Sequence, residues 1–275
     1  MSRLAILLLI CGLAACGGPS GLQEISSDRP MRIVSLDLCA DQYVLKFADE
    51  ERILAVSPDA TRVFSYMRDA AAGIPTVRPV AEDVLILKPD LVVRSYGGGP
   101  GASQFFEKAG IPVLEVGWAA DLPAVMTNVQ RIADGLGSHD QGAAVVADMQ
   151  TRLAALSQQA QGKTALYMTP AGVTTGPGSL IHEMILAAGL DNFQKDPGWR
   201  SIPLEGLAYE QPDLVAAAFF GTATNHPDAW SPMKHPVARA QLTAQPIVSL
   251  EGAWTSCNGW FLMDAVEALA EGVDE

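Results

Sequence analysis

The sequence predicts an α/β protein built as two Rossmann-like lobes with mostly parallel sheets, joined by one long bridging helix. Two observations carry that expectation. A glutamate stands seven residues before Pro-Asp-Leu-Val twice in the chain, as Glu82 with Pro89 and as Glu205 with Pro212. Copies so far apart are not neighbouring turns of a solenoid, so they mark two similar lobes. Between them lies the longest helical signal in the sequence, residues 139–161, with Val145, Met149, Leu153 and Leu156 on one helical face. Two lobes leave a cleft between them, and clefts hold ligands.

The elements follow in order. Arg3 precedes an apolar run over residues 4–10 and then Leu13-Ala14-Ala15-Cys16. A charged start, a short apolar core and small residues at the end describe a secretory leader, residues 1–15, too short to span a bilayer. Residues 16–30 begin Gly-rich and read as a tether. The first lobe, residues 31–137, opens with a strand at 32–36 and a helix around 41–48. Further strands are expected at 53–56, at Val77, at 91–93 and at 111–116. The bridge, residues 138–161, starts at Ser138 with Gln141 three residues on, the pattern of a capping box. As a continuous helix, residues 139–161 would be roughly 35 Å long, stiff enough to limit hinge closure. The second lobe, residues 162–275, repeats the alternation, with a strand at 165–168, a helix at 180–188 ended by Gly189, and strands at 214–216 and 247–250. Each Glu-to-Pro copy reads as a short helix, a proline stop and a strand apolar on both faces, as parallel strands are.

Composition limits the function. The formal net charge is −13, and loss of the leader with its Arg3 makes it more negative. An acidic surface disfavours nucleic acid and anionic membranes as partners. Of four cysteines, Cys11 leaves with the leader, and no C-x-x-C occurs. Cys39 and Cys257 are then a candidate disulfide in an exported protein, the alternatives being two buried thiols or thiols that touch a ligand.

Several stretches together resemble the class III periplasmic solute-binding proteins, which serve ABC importers of cobalamin and ferric siderophores. They are R-I-V-S-L-D at 32–37, the first glutamate copy, G-I-P-V-L at 110–114, A-G-L-D-N at 188–192, and Trp199 through the second glutamate copy. The ending Leu-Ala-Ala-Cys is similar to a lipobox, which implies lipidation of Cys16. The resemblance implies a non-enzymatic, membrane-anchored lipoprotein of the periplasm. Its partners would be an ABC permease and an iron chelate or corrinoid as ligand, with no cofactor of its own. It also implies that Glu82 and Glu205 pair with permease arginines, although a glutamate in a first helical turn is also favoured by the helix dipole.

Ligand contacts are expected from aromatic rings at strand exits: Tyr96 before a Gly97-Gly98-Gly99 turn, Trp118, Trp199 and Trp254. The competing use of those rings is core packing. The chain departs from its relatives at Asp37-Leu38 and Asp41-Gln42, where many have Ser-Pro and Thr-Glu. It also has Cys257 where cobalamin binders place an arginine, and no tryptophan near Val77. A zinc or manganese receptor is the runner-up, and His139, His182, His226 and His235 are too scattered to favour it. An exported α/β enzyme would need a nucleophile or metal constellation. His182-Glu183 lacks the second histidine of H-E-x-x-H, and no G-x-S-x-G occurs.

Overall fold

Short apolar strands alternate with helices through both halves of the chain, and the two halves fold to the same topology. The computed structural model describes residues 30–156, 162–218 and 232–272. In the first lobe the elements are β1 (Ile33–Ser35), α1 (Leu38–Phe47), β2 (Ile53–Ala55), α2 (Ala81–Ile86), β3 (Leu91–Arg94), α3 (Ala102–Lys108), β4 (Val113–Glu115) and α4 (Leu122–Gly135). Helix α5 (His139–Leu156) follows. The second lobe contains β5 (Thr164–Met168), β6 (Val173–Thr175), α6 (Leu180–Ala187), β7 (Asp191–Asn192), β8 (Trp199–Ser201), α7 (Leu204–Leu207), β9 (Leu214–Ala217), α8 (Pro236–Ala244), β10 (Ile247–Ser249), α9 (Gly252–Thr255) and α10 (Leu262–Glu271).

The first sheet has the order β2-β1-β3-β4 and the second β7-β5-β9-β10, all strands parallel. Each sheet places its first strand beside the strand of the Pro-Asp-Leu-Val copy, so β3 matches β9 and α2 matches α7. Buried β1, β3, β5 and β9 are apolar on both faces because helices cover both sides. Outside this pattern, β6 and β8 form an antiparallel ribbon that places Trp199 opposite Thr175.

Some boundaries differ from the sequence reading. Helix α1 begins at Leu38, three residues early, because the Asp37 carboxylate caps the amides of Cys39 and Ala40. Val77 forms no strand; its N–H donates to Val56 O at 2.9 Å beside a lone parallel bridge, Val56 to Thr76. Helix α5 is described for 18 residues, about 27 Å, and the rest of the expected bridge, 157–161, lies outside the described residues. So do the leader, Cys16 and most of the tether.

The Ser138 and Gln141 side chains do not close a capping box. Ser138 Oγ donates to Phe47 O at 2.5 Å and Gln141 Nε2 to Lys46 O at 3.0 Å. They satisfy carbonyls at the C-terminus of α1, groups that a helix end leaves unpaired. The apolar face of α5 is as expected, with Met149 fully buried and Val145, Leu153 and Leu156 packed on the core.

The lobes are joined by more than α5. Residues 252–272 of the second lobe pack back onto the first. Tyr43, Phe47 and Tyr66 meet Trp260 and Phe261 in one aromatic cluster, with ring centroids 4.9–6.3 Å apart across the lobes. Tyr43 Oη donates to Asn258 O at 2.5 Å. Arg152 of α5 holds Asp264 and Glu267 of α10 at 2.7 and 2.5 Å, and Tyr66 Oη donates to Asp264 at 2.9 Å. Cys39 and Cys257 are joined as a disulfide, Cα atoms 5.3 Å apart. Such a joint resists wide opening.

On the buried face of α1, Asp41 is fully buried and accepts from Ser57 N at 3.0 Å and Ser57 Oγ at 2.5 Å. Burial pushes its carboxyl up from 3.8 to about 6, against the pull of those bonds. A raised folded pKa means the native state holds the proton more tightly, so this contribution is greatest below 3.8 and is lost as pH rises through 6. Relative to Asp41→Asn, which does not titrate, the wild type should lose about 2 kcal/mol between about pH 4 and pH 7. Denaturant titrations across that range would show it; a pH-independent difference would refute the buried titration.

Candidate functional site

A cavity of about 380 Å³ is lined by residues of both lobes. The first lobe contributes Trp118, just beyond β4. The second contributes Tyr167 and Thr169 from the end of β5, Trp199 from β8, residues 178–181 and Met184 at the start of α6, and Thr255, Ser256, Asn258 and Leu262 near the last two helices. Most of these sit at C-terminal strand ends, where open α/β sheets place their ligands.

Local structure fixes each group. Trp199 rides on the β6–β8 ribbon, which is clamped where Gly176 passes so close to the Asp196 carbonyl that no side chain fits. Its ring meets Tyr167 edge-on, centroids 6.0 Å apart. Burial pushes the Tyr167 phenol up to about 12, so it faces the cavity as a neutral hydrogen-bond donor. Trp118 is 78% and Trp199 58% exposed, an unusual solvent contact for large rings. Among the described residues, no lining side chain carries a formal charge.

Of the four aromatic rings the sequence marked, the cavity gathers Trp118 and Trp199. Tyr96 and Trp254 are not in its lining. Trp254 is half-buried against the core. Tyr96 is exposed on a loop held by Asp37 and by Arg94, whose guanidinium donates to Gly97 O at 2.7 Å and Gly99 O at 3.2 Å. Gly97 is needed there because its α-carbon lies against the Leu36 backbone. Sequence reading missed Tyr167, Thr255 and Asn258. Tyr167 had a signal, a polar-tipped ring near the C-terminal end of a buried strand.

Glu82 and Glu205 are exposed, near the N-terminal ends of the matched helices α2 and α7. Neighbouring Asp83 is held by Arg78 at 2.7 Å, whereas among the described residues neither Glu82 nor Glu205 has a side-chain partner. Beside Glu82, Ala81 borders a second cavity of about 350 Å³, lined also by Pro100, Phe105 and Phe106.

Histidines have local duties. His139 contacts Asp134 at 2.7 Å, His182 lies 3.2 Å from Asn192, and His235 Nδ1 accepts from Val237 N at the start of α8. His226 lies outside the described residues. Among the described residues no three His, Cys, Asp or Glu side chains gather to hold a metal ion, and no helix is long and apolar enough to cross a membrane.

Fold and cleft together define a two-lobed solute-binding protein. A family model described as periplasmic binding protein matches residues 33–224, and the chain belongs to that family, whose members are binding proteins that work outside the cytoplasm. A cobalamin-binding protein of Halobacterium salinarum is 26% identical over 196 residues, 68% of this chain and 53% of that protein. The chain thus spans about half the length of the curated relatives it matches. Three solved structures share the fold. A possible iron-binding periplasmic solute-binding protein of Staphylococcus epidermidis has TM-score 0.71 and 17% identity, covering 90% of this chain and 100% of that one. A periplasmic heme-binding protein of Roseiflexus sp. RS-1 has TM-score 0.67 and 21% identity, over 88% and 98%. A periplasmic vitamin B12-binding protein of Vibrio cholerae has TM-score 0.65 and 18% identity, over 90% and 97%.

Proposed function

We propose that the protein captures a corrinoid in its interlobe cleft and delivers it to an ABC permease, docking through Glu82 and Glu205 and held at the membrane by a lipid on Cys16. The observation that carries the ligand class is the cavity lining: aromatic rings from both lobes, ringed by hydroxyls and an amide, with no charged side chain among the described residues. Haem and the anionic catecholate or carboxylate ferric siderophores bring ionised groups that want a cation beside them. A corrinoid presents a broad macrocycle to Trp118 and Trp199, and carboxamides to Thr169, Thr255 and Asn258. The cobalamin-binding relative supports the same choice.

Thermal unfolding of the purified protein with cobalamin, haem, a ferric siderophore, and zinc or manganese ions tests it. Cobalamin at about 100 times its Kd should stabilise by roughly 2.7 kcal/mol. Stabilisation by haem, siderophore or metal ion without any from cobalamin would overturn the ligand class. Trp118→Ala and Trp199→Ala should each weaken cobalamin binding by about 1–3 kcal/mol in calorimetry, the range for a lost aromatic contact. Unchanged affinity in both variants would move the ligand out of this cavity.

A further inference from the structure

The matched topology makes Glu82 and Glu205 equivalent, and it makes a second pair equivalent as well. Four residues after each glutamate stands a large apolar side chain in solvent: Ile86, 77% exposed, and Tyr209, 91% exposed. Ile86 ends α2. Past α7, Ala208 keeps helical dihedrals and the amides of Tyr209 and Glu210 both donate to Gly206 O, so Tyr209 still follows the helical path. The spacing of four puts each apolar side chain on the same face as its carboxylate.

One exposed isoleucine needs no explanation. The same placement in both lobes, once aliphatic and once aromatic, is different: apolar character recurs where the residue type does not. An ion pair left in water contributes little. Apolar groups packed beside it exclude solvent and strengthen it.

We propose that Ile86 and Tyr209 are apolar anchors of the permease dock, an inference that rests on the docking reading of Glu82 and Glu205. The partner is a membrane permease face with two cationic groups, each bordered by an apolar pocket. Free carboxylates at matched positions on two lobes supply the charge complementarity, and the adjacent Asp83, neutralised by Arg78, does not compete.

The test uses the corrinoid-importer permease–ATPase complex of the source organism in nanodiscs, binding the full-length protein over a range of salt concentrations. Ile86→Ser and Tyr209→Ser should each weaken docking about tenfold with the salt dependence unchanged. Glu82→Gln and Glu205→Gln should weaken it and flatten the salt dependence. Cobalamin affinity and melting temperature serve as controls for an intact fold. Wild-type docking by the two serine variants, with loss in the glutamine variants, overturns the anchors and leaves the docking reading standing. Wild-type docking by all four overturns both.

Discussion

Replacing Cys39 and Cys257 together by alanine is expected to lower the unfolding free energy by about 5 kcal/mol at most, and the melting temperature by about 10 °C. The bond closes a loop with a sequence separation of 218 residues, so its loss releases a large amount of chain entropy in the unfolded state. It also ties the start of α1 in the first lobe to the segment after α9 in the second. The aromatic cluster of Tyr43, Phe47, Tyr66, Trp260 and Phe261 remains in the variant, so the native lobes should stay together. Equilibrium denaturation of the double-alanine variant beside the oxidised wild type gives the difference. A loss below about 1 kcal/mol would mean that the unfolded chain is held compact by other means.

The aromatic cluster explains why the joint was harder to read than the lobes. Parallel strands buried on both faces leave a local trace, the runs Leu91-Val92-Val93 and Leu214-Val215-Ala216, and the proline before each sets its start. Helix α5 leaves another, a 3.6-residue period ending on Leu156. The packing of Trp260 on Tyr43 joins residues far apart in the chain and has no period to announce it. Ser138 and Gln141 show the reverse error. Their spacing is that of a local cap, yet their side chains satisfy carbonyls of α1, because a neighbouring helix end offers acceptors that local pattern does not reveal.

The cleft was legible in part for a related reason. Trp118 and Trp199 stand out as large rings outside apolar runs, and the cavity gathers both. Trp254 looks the same in sequence and packs against the core instead. Direction separates them, and a ring's direction depends on the turn that carries it. The glutamate copies were the clearest local signal, since a duplicated spacing needs no three-dimensional knowledge. Their apolar companions Ile86 and Tyr209 required exposure to be known, because an apolar residue in a short helix ordinarily faces inward.

Asp37 is the residue whose role only the folded chain shows, and Asp37→Ala should destabilise the protein by about 4 kcal/mol. The carboxylate is buried and accepts from five backbone amides. Its Oδ1 receives Cys39 N at 3.1 Å and Ala40 N at 3.0 Å, capping α1. Its Oδ2 receives Ser95 N at 2.7 Å, Tyr96 N at 3.0 Å and Gly97 N at 2.8 Å, pinning the loop after β3. Truncation leaves these donors without an acceptor inside the fold, and the loss exceeds that of an ordinary helix cap, typically about 1 kcal/mol. Asp37→Asn distinguishes this account from simple packing. Asparagine has the same shape but only one acceptor oxygen, so either rotamer turns an NH₂ donor toward amide donors. The Asn variant should therefore be destabilised nearly as much as the Ala variant, and hydrogen exchange should quicken at Ser95, Tyr96 and Gly97. Wild-type stability in Asp37→Asn, with those amides still protected, would show that shape rather than acceptance holds the loop.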